Sequence, residues 1–177
     1  NTTKRKRIEI PFEKNNNFNG IFNYLKKQEN INDLIKITSS SISTGKIENI
    51  INYEDQDSYI YTSDLPDSWI CIEFTKNLFI PTCYTLRTRR FAIRHLRNWI
   101  IECSNDGNIW DTIDEQNNCN CLKKEETFHT FTIENINNKE INKPYKFLRL
   151  KQTGKNSCGE NDLVLNAIEI FGTLVEG

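Results

Sequence analysis

Five arginines and one histidine are concentrated in residues 87–97. They are Arg87, Arg89, Arg90, Arg94, Arg97 and His95. A guanidinium group donates two parallel hydrogen bonds to a carboxylate, phosphate or sulfate, so this density of arginine in a nearly neutral chain predicts a site for such a group. The alternative is that the arginines form ion pairs with neighbouring Asp and Glu side chains on the surface.

Two further polar segments, 46–63 and 155–162, carry side chains that suit ligand recognition. Aromatic rings stack on a sugar or a peptide side chain, and amides and carboxylates hydrogen-bond at the rim. Because binding tends to reside on loops of a rigid scaffold, we predict recognition by residues 52–63, 87–94 and 155–162. The candidate contacts are Asn52, Tyr53, Asp55, Asp57, Arg87, Arg89, Arg90, Arg94, Asn156 and Asn161, and the candidate stacking floor is Tyr53, Tyr59 and Tyr61.

Acidic and sulfur-containing side chains raise the question of metal sites. Calcium binds several carboxylate and carbonyl oxygens, which Glu54, Asp55 and Asp57 could offer, although the same residues also fit a solvated acidic loop. Cys119 and Cys121 are separated by one residue. That is not the paired C-x-x-C spacing of a structural zinc site, so we predict a plain loop there.

No catalytic constellation is recognisable in the sequence. It has no Ser/His/Asp set, no glycine-rich phosphate loop and no H-E-x-x-H helix. Of its two histidines, His95 lies among arginines and His129 falls in a predicted strand. We therefore predict a protein that is not an enzyme.

The overall composition narrows the class of protein. The 177 residues are 37% hydrophobic and carry a formal net charge of -1, which argues against a general nucleic-acid binder. No apolar run is long enough to span a membrane, and no signal peptide is visible. Cys71, Cys83 and Cys103 lie in predicted strands as small apolar residues, which predicts reduced thiols and a cytoplasmic, intracellular protein. Because the sequence has no Met, we expect a piece of a longer or processed protein.

Short strands must position the predicted loops. Runs of β-branched and aromatic residues predict strands, and in the run 69–74 the side chains of Ile70, Ile72 and Phe74 share the face expected in the core. Apolar residues at helical spacing in 18–25 predict one short amphipathic helix, and Asp106-Gly107 predicts a tight hairpin turn. This pattern is typical of an all-β sandwich or jelly roll. The predicted strands are 8–10, 35–43, 69–74, 82–86, 99–103, 128–133, 145–150 and 163–171.

Five segments in this order resemble the discoidin, or coagulation factor 5/8 type C, domain. They are WICIEF at 69–74, YTLR at 84–87, LRNWIIECSNDG at 96–107 followed by Trp110, FLRLKQTG at 147–154 and AIEIFG at 167–172. The resemblance covers residues 35–172 and is closest to an intracellular branch of protist proteins that often occurs beside BTB domains. Residues 10–12 and 18–25 resemble the lead-in of that branch. We accordingly expect a lead-in at 1–34, packed on the core, and a discoidin-like domain at 35–177.

The resemblance implies a galactose-binding-like jelly roll of two antiparallel sheets whose loops at one end bind sugars, lipid head groups or proteins. This chain lacks the end-to-end disulfide of secreted members. It also replaces the usual Asp-Gly-Asp turn of the first loop with residues 52–55, which weakens the case for the family's frequent calcium site. Glu169 matches the position that closes that metal site, so the candidate calcium ligands are Glu54, Asp55, Asp57 and Glu169. The alternative for Glu169 is a paired structural carboxylate.

The sequence thus predicts a non-catalytic binding module that recognises a protein partner within a larger intracellular protein. The alternative is a galactose-binding-like carbohydrate-binding module. A buried aromatic platform with several polar donors would favour a sugar, and a broader patch with arginine contacts would favour a protein. Apart from the candidate calcium ion, no cofactor is predicted.

Overall fold

The computed structural model describes residues 4–123, 127–134 and 143–177. Strands dominate these residues, as the sequence predicts. The strands are β1 (Arg7–Ile10), β2 (Ile35–Ser39), β3 (Ile60–Tyr61), β4 (Trp69–Phe74), β5 (Asn77–Arg87), β6 (Trp99–Ser104), β7 (Asp111–Gln116), β8 (Phe128–Thr132), β9 (Phe147–Gln152), β10 (Val164–Leu165) and β11 (Ala167–Glu176). The helices are α1 (Ile21–Gln28), α2 (Ile31–Leu34) and a 3₁₀ helix at Ile47–Ile51.

Two antiparallel sheets form the body of the protein. The larger has the order β2-β4-β9-β6-β7, the smaller has the order β1-β11-β5-β8, and β3 pairs with β10 in a short ribbon. Alternation of apolar and polar residues places one face of each sheet in a shared core. On β4, Ile70, Ile72 and Phe74 are 2%, 1% and 0% exposed, as predicted. The predicted jelly-roll sandwich of two antiparallel sheets is therefore confirmed.

A buried polar pair joins the two sheets at the centre of the core. Trp99 on β6 donates a hydrogen bond from Nε1 to the Tyr84 hydroxyl on β5, at 3.0 Å. The Tyr84 hydroxyl in turn donates to Asp114 on β7. Burying a tryptophan N–H or a tyrosine hydroxyl without a partner is costly, so this chain of bonds favours one alignment of the sheets. Burial and the Asp114 carboxylate raise the pKa of Tyr84.

The two longest strands, β5 and β11, differ from their predicted bounds. β5 begins at Asn77 rather than residue 82, and it accommodates Pro81 next to a bulge at Thr82, where the pairing passes from Cys83–Phe171 to Pro81–Gly172. Gly172 has φ +144°, and an added Cβ would lie 2.0 Å from the Ile80 carbonyl oxygen. The predicted end of the last strand at residue 171 is wrong, since β11 continues through Gly172 to Glu176.

The predicted chain reversal at Asp106-Gly107 is confirmed, but the turn is wider than a two-residue hairpin. β6 ends at Ser104 and β7 begins at Asp111. The Asp106 carboxylate accepts hydrogen bonds from the backbone N–H groups of Asn108 and Ile109, each at 2.8 Å. These bonds lower the pKa of Asp106, and they stabilise the longer turn.

The N-terminal segment belongs to the same layers as the rest of the chain. β1 pairs with the C-terminal half of β11, and α1 buries Ile21, Phe22 and Leu25 against the core. The predicted short helix therefore corresponds to α1, which begins at Ile21 rather than residue 18. The four-residue helix α2 was not predicted. Within the described residues, no helix has the length and apolar character needed to cross a membrane.

Candidate ligand-binding surface

Three loops come together where β5 ends and β6 begins. The Arg90 N–H donates to the Gln56 carbonyl at 3.1 Å, and the His95 N–H donates to the Ser157 hydroxyl at 2.9 Å. These bonds hold the three segments that the sequence predicted as recognition loops next to one another. We call this surface the loop end and define it as residues 54–64, 88–98 and 155–162.

Two tyrosines and two arginines form a half-exposed patch on the loop end. The ring centroids of Tyr59 and Tyr61 are 4.8 Å apart. The Arg89 guanidinium lies 4.2 Å from the Tyr59 centroid, and the Arg94 guanidinium lies 5.7 Å from the Tyr61 centroid. Stacking of a guanidinium on an aromatic face orders both groups while leaving the edge donors of the guanidinium free. We call these four residues the Tyr-Arg patch.

Ion pairs border the patch. Arg94 forms one with Glu160 at 3.0 Å and a longer contact with Asp162 at 3.8 Å. Arg90 pairs with Asp57 at 2.9 Å, and both side chains are at least half exposed. Pairing of loop arginines with acidic neighbours was the alternative interpretation of the arginine-rich segment, and it holds for Arg90 and Arg94. Exposed pairs of this kind contribute about 0–1 kcal/mol to stability.

Two apolar side chains project from the arginine-rich loop. Phe91 is 72% exposed and Ile93 is 78% exposed. Phe91 also has φ +63°, an unusual conformation for a non-glycine residue. Neither residue was among the predicted contacts, although two large apolar side chains within a polar loop are a signal that can be read from the sequence.

Arg87 is buried and bonded within the protein, which contradicts its prediction as an accessible binding residue. It is 5% exposed, and its Nε donates to Asn166 Oδ1 at 2.6 Å. Its Nη2 donates to the Tyr53 carbonyl at 2.9 Å, and its guanidinium lies 4.4 Å from the ring centroid of Phe18. Burial lowers the pKa of Arg87. The side chain therefore holds the start of the 52–64 loop against the core.

Asn156 and Tyr53 are also structural rather than exposed contacts. Asn156 is 4% exposed, and its amide donates to the carbonyl and the carboxylate of Asp162 at 3.1 and 2.9 Å. Tyr53 donates its hydroxyl to the Ile168 carbonyl at 2.7 Å, and its ring packs against Phe18. Burial raises the pKa of Tyr53 well above its usual range. The predictions of Asn156 as a ligand contact and Tyr53 as a stacking ring are wrong.

The remaining candidates are accessible but scattered. Asp55 and Asp57 are exposed, and Asp55 accepts the backbone N–H groups of Asp57 and Ser58 at 2.9 and 3.0 Å, which stabilises a local turn. Asn161 is partly exposed at the loop end. Asn52 instead lies at the mouth of a groove beside β2. The structure thus places Asp55, Asp57, Arg89, Arg90, Arg94 and Asn161 on the loop end.

Glu169 is committed to the backbone of the N-terminal segment. Its Oε1 accepts N–H groups from Phe22 and Ile170 at 2.9 Å each, and its Oε2 accepts those of Gly20 and Asn23 at 3.1 Å each. The side chain is fully buried, and burial raises its pKa to about 7, more than the four N–H donors lower it.

The predicted calcium set is therefore contradicted. Backbone N–H groups occupy both oxygens of Glu169, while Glu54, Asp55 and Asp57 are exposed on the 52–64 loop. In residues 4–123, 127–134 and 143–177, no three His, Cys, Asp or Glu side chains lie close enough to hold a metal ion together. Backbone N–H groups of the N-terminal segment thus bind the Glu169 carboxylate that was predicted to bind the cation.

The sandwich is similar to several solved carbohydrate-binding proteins. The Clostridium perfringens module CpGH89CBM32-5, solved with GalNAc-β-1,3-galactose, aligns with a TM-score of 0.61 at 15% identity over 78% of this chain and 95% of that one. The lectin domain of Lectinolysin, solved with Lewis B antigen, aligns with a TM-score of 0.61 at 15% identity over 82% and 97%. This chain has the discoidin-like, galactose-binding-like fold. At such identities the likeness shows the fold of the discoidin-like domain alone.

Sequence relatives place a similar segment in very long proteins. This chain is 31% identical over 147 residues to E3 ubiquitin-protein ligase Ufd4 of Drosophila melanogaster. It is 28% identical over 147 residues to E3 ubiquitin-protein ligase hecd-1 of Caenorhabditis elegans. Each alignment covers 80% of this chain and spans only 5% of the relative's length. No family model matches the chain. The association with BTB domains stays a prediction.

Proposed function

We propose that this discoidin-like domain is a non-catalytic module that binds a carbohydrate at the loop end. The observation that carries the proposal is the Tyr-Arg patch, which combines two half-exposed rings 4.8 Å apart with guanidinium donors. The solved structures similar to this chain support this alternative better than the prediction of protein recognition, because their ligands include galactose and GalNAc-β-1,3-galactose.

The chemistry of the patch suits a sugar ring. Sugar C–H groups pack on aromatic faces, while hydroxyl groups need both donors and acceptors within reach. Arg89 and Arg94 supply donors, and the Glu160 carboxylate, 3.0 Å from Arg94, supplies acceptors. Because Arg94 and Glu160 already pair with each other, their geometry is set before a ligand arrives, which reduces the entropy lost on binding.

A glycan array that includes galactose and GalNAc-β-1,3-galactose tests the proposal, followed by calorimetry with the saccharide that binds. We expect the double variant Arg89→Ala, Arg90→Ala to weaken binding tenfold or more while the melting temperature stays nearly unchanged. The matched control is Lys4→Ala, Arg5→Ala, which removes two positive charges near Val175, at the opposite end of β11. Binding of no glycan, or equal loss in both double variants, would overturn the proposal.

Recognition of a protein partner within a larger ubiquitin-ligase-type protein is the second candidate. The exposed Phe91 and Ile93 beside the arginines favour it, because apolar residues and arginine are enriched in protein interfaces. The 31% identity to a segment of Ufd4 supplies the context. Affinity purification from lysate with the chain and with the variant Phe91→Ser, Ile93→Ser tests it. A partner lost with this variant, but retained by the Arg89 and Arg90 double variant, would separate the two functions.

A further inference from the structure

We propose that the free edge of β2 and the groove next to it bind an extended peptide of a partner protein as an added strand. The peptide would carry the pattern apolar–acidic–apolar. This surface lies apart from the loop end and does not depend on carbohydrate binding.

The main chain of β2 offers unpaired groups in the right alternation. β2 is the outermost strand of the larger sheet and pairs with β4 alone among the described residues. The Leu34 carbonyl accepts the Thr75 N–H and the Ser40 N–H donates to the Trp69 carbonyl, each at 3.0 Å. Since an antiparallel strand alternates its hydrogen bonds between its two sides, Lys36 and Thr38 also face β4.

Ile37 and Ser39 therefore direct their N–H and C=O groups away from the sheet. Within the described part of the chain, neither main-chain group of Ile37 or Ser39 takes part in a hydrogen bond outside the sheet ladder. An edge with unpaired groups of this kind is a template for another strand. Natural sheets often protect an edge with a proline or a bulge, and β2 has neither.

A groove of about 640 Å³ opens along the same edge. Its apolar lining comes from five isoleucines, Ile31, Ile35, Ile37, Ile47 and Ile51. A strand added to β2 would place every second side chain on the face shared by Ile35 and Ile37, and so into this groove. The edge fixes the alternation of the peptide side chains, and the groove selects apolar residues on one face. Together they specify an apolar residue at every second position of the peptide. The isoleucine lining offers no ring for a sugar to stack on.

Charge specifies the residue between the two apolar positions. The side chain of Lys36 points to the opposite face from Ile35 and Ile37 and is exposed. Lys36 takes part in no ion pair within the described residues. An acidic peptide side chain directly across from Lys36 would form a cross-strand pair. The groove itself holds charges of both signs, Lys26 and Glu48, so the selection for an acidic residue comes from Lys36 on the other face.

Selection from a phage-displayed library of nine-residue random peptides tests the proposal with the full chain. The expected result is enrichment of the pattern apolar–acidic–apolar, and enrichment of no pattern would overturn it. A fluorescein-labelled synthetic copy of the enriched peptide then allows affinities to be measured by fluorescence polarisation. Hydrogen exchange should slow at the amide groups of Ile37 and Ser39 when the peptide binds. Unchanged exchange at both amides would overturn the strand-addition geometry.

Two variants make the test specific. Ile37→Pro removes the outward N–H at a position where the edge tolerates proline, and should weaken binding at least tenfold while thermal unfolding stays cooperative. Lys36→Glu should lower affinity for the acidic peptide and raise it for the same peptide with Lys in place of the acid. The Arg89 and Arg90 double variant should bind the peptide normally, which separates this site from the loop end. Retained affinity in both β2 variants would overturn the proposal.

A second copy of this chain, paired through its own β2 edge, is the competing occupant of the site. Sedimentation velocity at increasing concentrations should give a monomer for the parent chain. A dimer that dissociates with Ile37→Pro would show that a second copy occupies the edge and would overturn the peptide proposal.

Discussion

Replacing Arg87 by alanine should destabilise the fold far more than replacing Arg90, although both arginines lie in the same arginine-rich segment. Arg87 is buried and donates to Asn166 Oδ1 at 2.6 Å and to the Tyr53 carbonyl at 2.9 Å. Arg90 is exposed, and its guanidinium pairs with the exposed Asp57 carboxylate. The two variants therefore compare a buried arginine and an exposed arginine that are only three positions apart in the sequence.

The magnitude follows from the two acceptors that Arg87→Ala leaves behind. A buried acceptor that loses its donor costs about 1–3 kcal/mol, so the loss of both donors should cost roughly 2–6 kcal/mol. Asn166 also donates to the Asp55 and Ser58 carbonyls at 3.0 and 2.5 Å, so its displacement would loosen the 52–64 loop as well. For Arg90→Ala, an exposed ion pair sets the expected loss at about 0–1 kcal/mol.

Urea denaturation of the parent and both variants measures these differences as changes in the midpoint at constant slope. Hydrogen exchange should accelerate at the amides of residues 53–58 in Arg87→Ala, and not in Arg90→Ala. Equal destabilisation by the two variants, or a loss below about 1 kcal/mol for Arg87→Ala, would refute the assignment of Arg87 as a structural residue.

Three further predictions concern single side chains. Because burial raises the pKa of Glu169 from 4.5 to about 7, the folded state holds this proton more tightly than the unfolded state. The contribution of this protonation to stability is thus present below pH 4.5 and lost as the pH rises through 7, so the melting temperature should fall between pH 5 and pH 8. Glu169→Gln should make the melting temperature depend less on pH over this range. An unchanged dependence in the variant would contradict the prediction. Tyr84→Phe should cost about 1–3 kcal/mol in urea denaturation, because the indole N–H of Trp99 loses its acceptor, and a neutral effect would contradict the role of that bond. The thiol of Cys158 is exposed and should alkylate first in native mass spectrometry, whereas earlier modification of a buried cysteine would contradict the structure.

The sequence by itself determined the architecture of this protein. Each central strand repeats apolar side chains with period two, and that pattern can bury only one face of a sheet. The run 69–74 therefore coincides with β4, and its core face follows from the alternation of Ile70, Ile72 and Phe74. Local chemistry also predicted the reversal at Asp106, where a carboxylate can accept backbone N–H groups. These features depend on neighbours within a few residues, so they can be read from the chain.

Tertiary structure decided which polar side chains are free to bind. Arg87 and Arg90 cannot be told apart by type or spacing, yet Asn166, 79 residues away, pairs with one of them and leaves the other exposed. The Glu169 carboxylate likewise accepts hydrogen bonds from the backbone N–H groups of Gly20, Phe22 and Asn23. These residues precede it by 146 to 149 positions, so no local pattern indicates the bonds. The free edge of β2 is a property of sheet order, which is set only when all strands have paired. Burial and hydrogen-bond partners across such separations arise from the assembled sandwich, and they determine where a ligand can bind.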